Sequence, residues 1–309
     1  MTSLLTNSAA MVALSTLNSI NMQLNESNNR VSTGLKIREA QDSAAYWAIA
    51  TTTQSDNDAM ASVKDALAIG RSTLDVTYAG LDAVRENLQT IKELIVSARQ
   101  PGVDRVNVQT QIAGLQADMT NKANASVMNE QNFLAIADSA TENTTKAVVA
   151  GFTRSATGVS ISTIDLDISA VYLTDGNATP TGILDQDRTY GAATTALTST
   201  ALTVDISALT DSADDLTILE HSITLIDTAL IEVTTAQNNV GVNLARAETQ
   251  ETFVNALMDA NERAVGALID ANMEEESTKL RALQTQQQLA VESLSIANAS
   301  AQNVLALFR

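Results

Sequence analysis

Few residues in this 309-residue chain have the type and spacing for catalysis. His221 is the one histidine and stands beside Glu220 in a segment of helical periodicity. A lone imidazole with one adjacent carboxylate makes neither a catalytic triad nor a metal cluster. Glu274, Glu275 and Glu276 form an acidic run on one helix, the pattern of a solvated face rather than of ligands converging from separate elements. Asn124, Asn143, Asn177 and Asn298 begin Asn-x-Ser/Thr triplets, which arise by chance in a chain this rich in Ser and Thr. No glycine-rich phosphate loop follows a strand. With no cysteine there is no disulfide framework, zinc–thiolate site or cysteine nucleophile. The residues point away from an enzyme and imply neither cofactor nor metal.

Charge narrows the partners. A net charge of −18 and a pI near 4.3 argue against nucleic acid or anionic lipid, both of which need basic patches. No run approaches the roughly 18 consecutive apolar residues of a membrane helix. The N-terminal stretch lacks the basic start of a secretory signal, so export, if it occurs, is expected by a route that reads no cleaved signal.

The elements that position these residues are helices with heptad spacing at both ends of the chain. Met60, Leu67, Leu74, Leu81, Leu88 and Ile95 fall seven apart, with Val63, Val84, Ile91 and Ala98 on a second row weakened at Gly70 and Thr77. This predicts one long helix, capped at Asp42 or Ser43 and ended by Pro101-Gly102. Val108, Ile112, Leu115 and Met119 predict a shorter helix after the break. The pattern returns behind capping candidates at Asp211, Ser212, Asp214 and Asp215. One row there is Leu216, Ile223, Leu230 and Leu244, and the other is Leu219, Ile226, Val233, Val240, Ala247 and Val254. Gln237 and Glu251 interrupt the first row.

A last helix carries Met273, Leu280, Leu294, Ala301 and Phe308 on one row and Leu283, Ala290, Ala297 and Val304 on the next, with Glu276 and Gln287 as exceptions. Its N-terminal counterpart has Ala10, Leu17, Leu24 and Val31, flanked by Ala13 and Ile20. The middle turns to Thr, Ser, Ala, Gly and Asp. KAVVAGFT and GVSISTIDLDIS read as strands around a turn near Ser155 to Gly158, and Asp175-Gly176-Asn177 and Pro180 mark loops. The expected fold is mainly α, a long antiparallel coiled-coil or helical bundle formed by both chain ends, with a small β-containing insertion in the middle.

The two ends are nearly free of charge: the first charged side chain is Glu26, and between Arg281 and Arg309 only Glu292 is charged. A helix facing water normally carries charge on its outer face. Here those faces are Asn, Gln, Ser, Thr and Ala, suited to close packing on several sides. The terminal seams are therefore expected to pack between subunits, through Leu17, Ile20, Leu24, Leu280, Leu283, Leu294, Val304, Leu305 and Phe308. With apolar residues at about two positions in seven, each terminal helix alone is marginal, so both ends are expected to order only when neighbours surround them.

The stretch VSTGLKIREAQDSAAYWAIA, from Val31 to Ala50, resembles the N-terminal signature of bacterial flagellins, and the stretch from Leu268 to QNVLALFR at Arg309 resembles their C-terminus. Ala-Tyr-Trp at 45–47 is similar to the alphaproteobacterial type. The resemblance spans about the first 140 and last 95 residues. It implies an inner terminal helical domain from 1–41 and 269–309, a coiled-coil domain from 42–140 and 211–268, and a small variable β-rich outer region at 141–210. It further implies a filament subunit that polymerises with itself, with sister flagellins as possible companions. Implied partners are the flagellar export apparatus and its chaperone, and the filament cap and junction proteins, at an extracellular location. In the patch that an innate immune receptor reads on many flagellins, Gln89 and Leu94 fit, but Thr90 and Gln111 stand where those flagellins carry arginine and glutamate. A hook–filament junction protein with similar ends is the alternative within the flagellum. An intracellular coiled-coil scaffold is the alternative outside it.

Overall fold

The computed structural model describes residues 7–155, 158–191 and 195–307, with side chains through Ser300. By internal contacts the chain forms two compact units, one of residues 1–57 with 259–309 and one of residues 58–258.

The larger unit is built on the heptad rows. Helix α2, Ala44–Ala98, buries Leu67, Leu74, Leu81, Leu88 and Ile95 completely, and Val84, Ile91 and Ala98 with them. Helix α4, Ala213–Ile269, buries Leu219, Ile226, Val233, Val240, Ala247 and Val254, while Leu216, Ile223, Leu230 and Leu244 pack at the edge. The two predicted rows of α4 are thus unequal, one central and one lateral. Helix α3, Arg105–Ala125, adds Val108, Ile112, Met119 and Ala123. Each buried Leu or Ile contributes about 1.5–3 kcal/mol, and these rows supply most of the unit's stability.

Helix ends follow local chemistry. Asp104 caps α3 by accepting from the N–H groups of Val106 and Asn107 at 3.1 and 3.2 Å. Ser212 caps α4 by accepting from the Asp215 N–H, and the Asp215 carboxylate in turn accepts from the Thr210 N–H at 2.8 Å, tying the preceding turn to the helix start. Asp42 does not cap α2. Its carboxylate turns back to the N–H groups of Arg38 and Glu39, and the Ser43 carbonyl accepts the first helical bond from Trp47.

The middle segment joins the same core. Strands β4, Thr145–Ser155, and β5, Gly158–Asp167, form the predicted antiparallel hairpin, with a bulge at Ala150 between Val149 and Gly151. Val148, Ala150, Ile164 and Leu166 are its buried face. The expected turn includes 156–157, which lie outside the described residues. Short pairs surround the hairpin: β1 Val127–Met128 with β2 Gln131–Asn132, β3 Ala135–Ile136 parallel to β6 Thr174–Asp175, and β7 Arg188–Tyr190 with β8 Leu197–Ser199. The Asp175 side chain anchors the following loop, accepting from Ser139 N–H, Thr181 Oγ1 and Asn177 N–H.

Gly70, on the second row of α2, and Gly80, off both rows, mark close approaches to the helix. A Cβ at Gly70 would stand 2.2 Å from Val148 Cγ1, and one at Gly80 would stand 2.4 Å from Ser126 Oγ and 2.5 Å from Leu134 Cδ1. These are the places where the β segment lies directly on the helix backbone. Thr77, the other weak point, is buried and returns its hydroxyl to the Thr73 carbonyl.

Gly114, in contrast, is exposed in α3 with nothing within 4 Å of its would-be Cβ. Gly114→Ala should therefore raise stability by about 1 kcal/mol through helix propensity. Gly70→Leu should lower it by about 1–3 kcal/mol through overpacking. Urea titrations followed by helical circular dichroism measure both.

Candidate functional site

In the smaller unit, helix α1, Ser8–Thr33, pairs with helix α5, Met273–Leu307. Asn7 caps α1 by accepting from the Ala10 N–H, and Gly34, at φ +72°, ends it by donating to the Arg30 carbonyl at 2.8 Å. Asn272 caps α5 by accepting from the Glu274 N–H. The two connections are tied together: the Lys36 N–H donates to the Ile269 carbonyl and the Ala271 N–H to the Gly34 carbonyl.

The seams meet within this pair. Ile20, Leu283 and Ala290 are its buried apolar residues, and Leu17 and Leu24 pack against them half-buried. Leu280 and Leu294 are also half-buried. Six of the nine residues expected to face other subunits thus lie on or beside a contact inside the chain, because α1 and α5 are each other's nearest apolar stripes. Val304, Leu305 and Phe308 lie outside the described side chains.

What the seam does not cover is the opposite surface. Met11, Val12, Leu14 and Met22 on α1, and Leu289, Val291 and Ile296 on α5, are all exposed. Large apolar side chains clustered on two charge-poor helices mark a face that another protein surface would cover.

The polar residues that break the heptad rows are contacts that set alignment. Asn7 Nδ2 donates to the Ala297 carbonyl at 3.0 Å, Gln287 Nε2 to Asn21 Oδ1 at 2.6 Å, and Ser27 Oγ to Glu276 Oε2 at 2.9 Å. Arg30 bridges Glu276 at 3.2 Å and Glu26 at 2.5 Å. These links run antiparallel down the pair. Burial opposes ionisation of Glu276, but hydrogen bonds from Ser27 and Arg30 and the charges of Lys279 and Arg30 outweigh it, holding the carboxyl below the ordinary glutamate range.

The larger unit repeats the device. Gln237 and Glu251, the interruptions in α4, bond to α2 at Asp82 (3.0 Å) and Arg71 (2.8 Å). Lys92–Asp227 at 2.5 Å and Arg99–Glu220 extend the same antiparallel alignment. Hydrogen bonds from Arg85 and Gln237 hold the Asp82 carboxyl below its ordinary range. Buried Arg105, which sequence reading passed over, donates to the Ala98 and Leu209 carbonyls and to Asp211, fastening α3 to the start of α4. A charged residue directly behind the Asp104 cap, opposite the acidic 211–215 run, was the available signal.

The residues singled out for chemistry are spread apart. His221 Nδ1 lies 2.9 Å from the Thr195 carbonyl and packs under Gly191. Glu274 and Glu275 are exposed while Glu276 is buried. Among the described residues no group of three His, Cys, Asp or Glu is placed to hold a metal. None of the described helices is long and apolar enough to cross a membrane. Gln89, Thr90 and Gln111 are exposed on α2 and α3, and Leu94 packs against the core beside them.

Two family models match the chain, the bacterial flagellin N-terminal helical region over residues 4–139 and the bacterial flagellin C-terminal helical region over residues 223–308. Flagellin C of Rhizobium meliloti (strain 1021) is 39% identical over 321 residues, covering all of both chains. The chain belongs to the flagellin family. A flagellin of Brucella melitensis is 36% identical over 310 residues and flagellin A of Rhizobium meliloti 34% over 396, again over the whole of both chains. These relatives agree with the alphaproteobacterial cast of the signature. The segment between the two flagellin matches contains the hairpin β4–β5 and the short strands that follow it. A solved structure named for a flagellar hook-associated protein of Vibrio parahaemolyticus is 14% identical with a TM-score of 0.45, covering 71% of this chain and 95% of that one. So slight a likeness bears on no choice between roles. As a flagellin, the chain is a structural subunit of the flagellar filament, an extracellular appendage, and it polymerises with copies of itself.

Arg105→Met should cost about 1–3 kcal/mol, because it leaves the Ala98 and Leu209 carbonyls without their donor. Arg99→Met, in an exposed pair, should cost under about 1 kcal/mol. Thermal unfolding of the two variants beside the parent checks the contrast.

Proposed function

We propose that the α1–α5 pair is the assembly element of this subunit. Its seam aligns the two ends of one chain, and its outer apolar faces bind the ends of neighbouring chains. The supporting observation is the coincidence of three features on these helices: near absence of charge, a thin internal seam, and exposed large apolar side chains such as Met11, Leu14, Leu289 and Ile296. A filament needs a face whose partner surface lies elsewhere on the next copy, so that contact repeats without closing. Two helices carrying apolar residues on both the inner and the outer side meet that need.

In this reading residues 1–41 and 269–309 form the inner tube, 42–140 and 211–268 the surrounding coiled coil, and 141–210 the outer region. Val304, Leu305 and Phe308 extend the α5 contribution. The role is structural and not catalytic. Export by a route that reads no cleaved signal belongs to this reading. The export machinery with its chaperone, the cap, the junction proteins and sister flagellins are the other partners. Thr90 and Gln111, in place of arginine and glutamate beside Gln89 and Leu94, weaken recognition by the innate receptor.

Both ends should be protease-sensitive in dilute monomer and protected in filaments, because few buried contacts hold them. Resistant ends in the monomer would count against assembly-coupled ordering.

The decisive comparison is electron microscopy of the full chain beside a chain lacking 1–31 and 273–309. Filaments are expected from the full chain alone. Leu289→Asp and Leu294→Asp should abolish growth while the melting of residues 58–258 stays unchanged, since a charge would be buried at the contact. Normal filaments from both variants would remove the terminal faces from the mechanism.

A further inference from the structure

Glu276 is out of place by the logic of the terminal pair. Among the described residues of α1 and α5 it is the one carboxylate that is buried, at 8% exposure. It lies seven residues before Leu283 on the seam, and Ser27, at 1% exposure, lies seven after Ile20. The polar members of both rows therefore meet at the same end of the pair. There the Ser27 hydroxyl donates to one carboxylate oxygen and Arg30 to the other.

The surrounding charges are few. On α1 they are Arg30 and its partner Glu26; on α5 they are Glu274, Glu275 and Lys279; in the two connections they are Lys36, Arg38 and Asp42, which lie beside Arg30, and Asp270. The Glu276 carboxylate also sits in the first turn of α5, where the helix N-terminus favours negative charge.

Every donor around Glu276 is matched to an anion. A neutral carboxyl accepts more weakly, brings a proton of its own to a site already filled with donors, and leaves half-buried Arg30 without its partner on α5.

We propose that Glu276 is a proton-operated latch on assembly: charged, it holds α5 against α1 in one register, and neutral, it lets the pair part and the filament shed subunits. This rests on the terminal pair being the assembly element. The sign follows from linkage. The folded carboxyl is held below the ordinary value of 4.5, so its stabilisation is complete above that value and is lost as pH falls through the folded value beneath it.

The test compares the parent chain with Glu276→Gln, which keeps the shape and lacks the charge. The critical concentration for filament growth is measured by sedimentation from pH 7 downward, with sulfate added to keep both proteins polymerised. At pH 7 the variant's critical concentration should be higher by roughly tenfold, the factor carried by one charge-assisted hydrogen bond. The two curves should converge below pH 4.5. Ser27→Ala, which removes one donor to the anion, should move the convergence to higher pH. A gap that stays constant with pH, or no gap at pH 7, overturns the latch.

Spin labels on exposed Gln23 and Gln286 separate this failure from failure of the assembly reading. The labels are read in the sulfate-held filaments; if the chain lacking 1–31 and 273–309 makes filaments as well, that reading is lost, and the distances between labels still decide the latch. Narrow in the parent and broad in Glu276→Gln at pH 7 supports it; equal widths overturn it.

Discussion

A row of apolar residues seven apart fixes a face but not a position along it. A helix can slip one heptad against its partner and bury nearly the same area. The alignment here depends on polar groups placed within or beside those rows, since a slipped amide or carboxylate would be buried without its partner. Asn21 with Gln287, Ser27 and Arg30 with Glu276, Asp82 with Gln237 and Arg71 with Glu251 each allow one antiparallel register.

The same rule yields two kinds of object. In residues 58–258 the rows of α2 and α4 are closed over by α3 and by the hairpin, and side chains such as Leu74, Leu81 and Val233 are fully buried. Among the described residues of the terminal pair, Ile20, Leu283 and Ala290 are the apolar side chains buried together. Such a pair is a half-finished core, and a polymer is one way of finishing it.

The helices were legible because heptads are a long-range periodic signal. Met60 to Ile95 and Leu219 to Val254 announced both the elements and their buried faces. The β4–β5 hairpin could be read from β-branched runs flanking a turn. The two-residue strands β3 and β6 could not, since their pairing is parallel and joins residues some forty apart with no local pattern. The polar exceptions were visible but read as tolerated defects, because a single row cannot show what stands opposite it. The pairing of α1 with α5 through Ile20 and Leu283 likewise has no signal in either row alone. Missing charge says that a helix is covered, and only the three-dimensional pairing says by what.

One consequence of the charge-poor ends concerns how the filament meets its surroundings. Residues 1–25 and 282–308 carry a single charge, Glu292, so nearly the whole net charge of −18 resides on the rest of the chain. With the ends inside, as proposed, subunits stacked by the thousand would make a polyelectrolyte rod with a neutral axis. Its charge repels neighbouring rods over a screening length of about 8 Å at physiological ionic strength, while the uncharged seam feels little of the salt that sets that length. Adhesion between rods and cohesion within one are thereby placed under separate control.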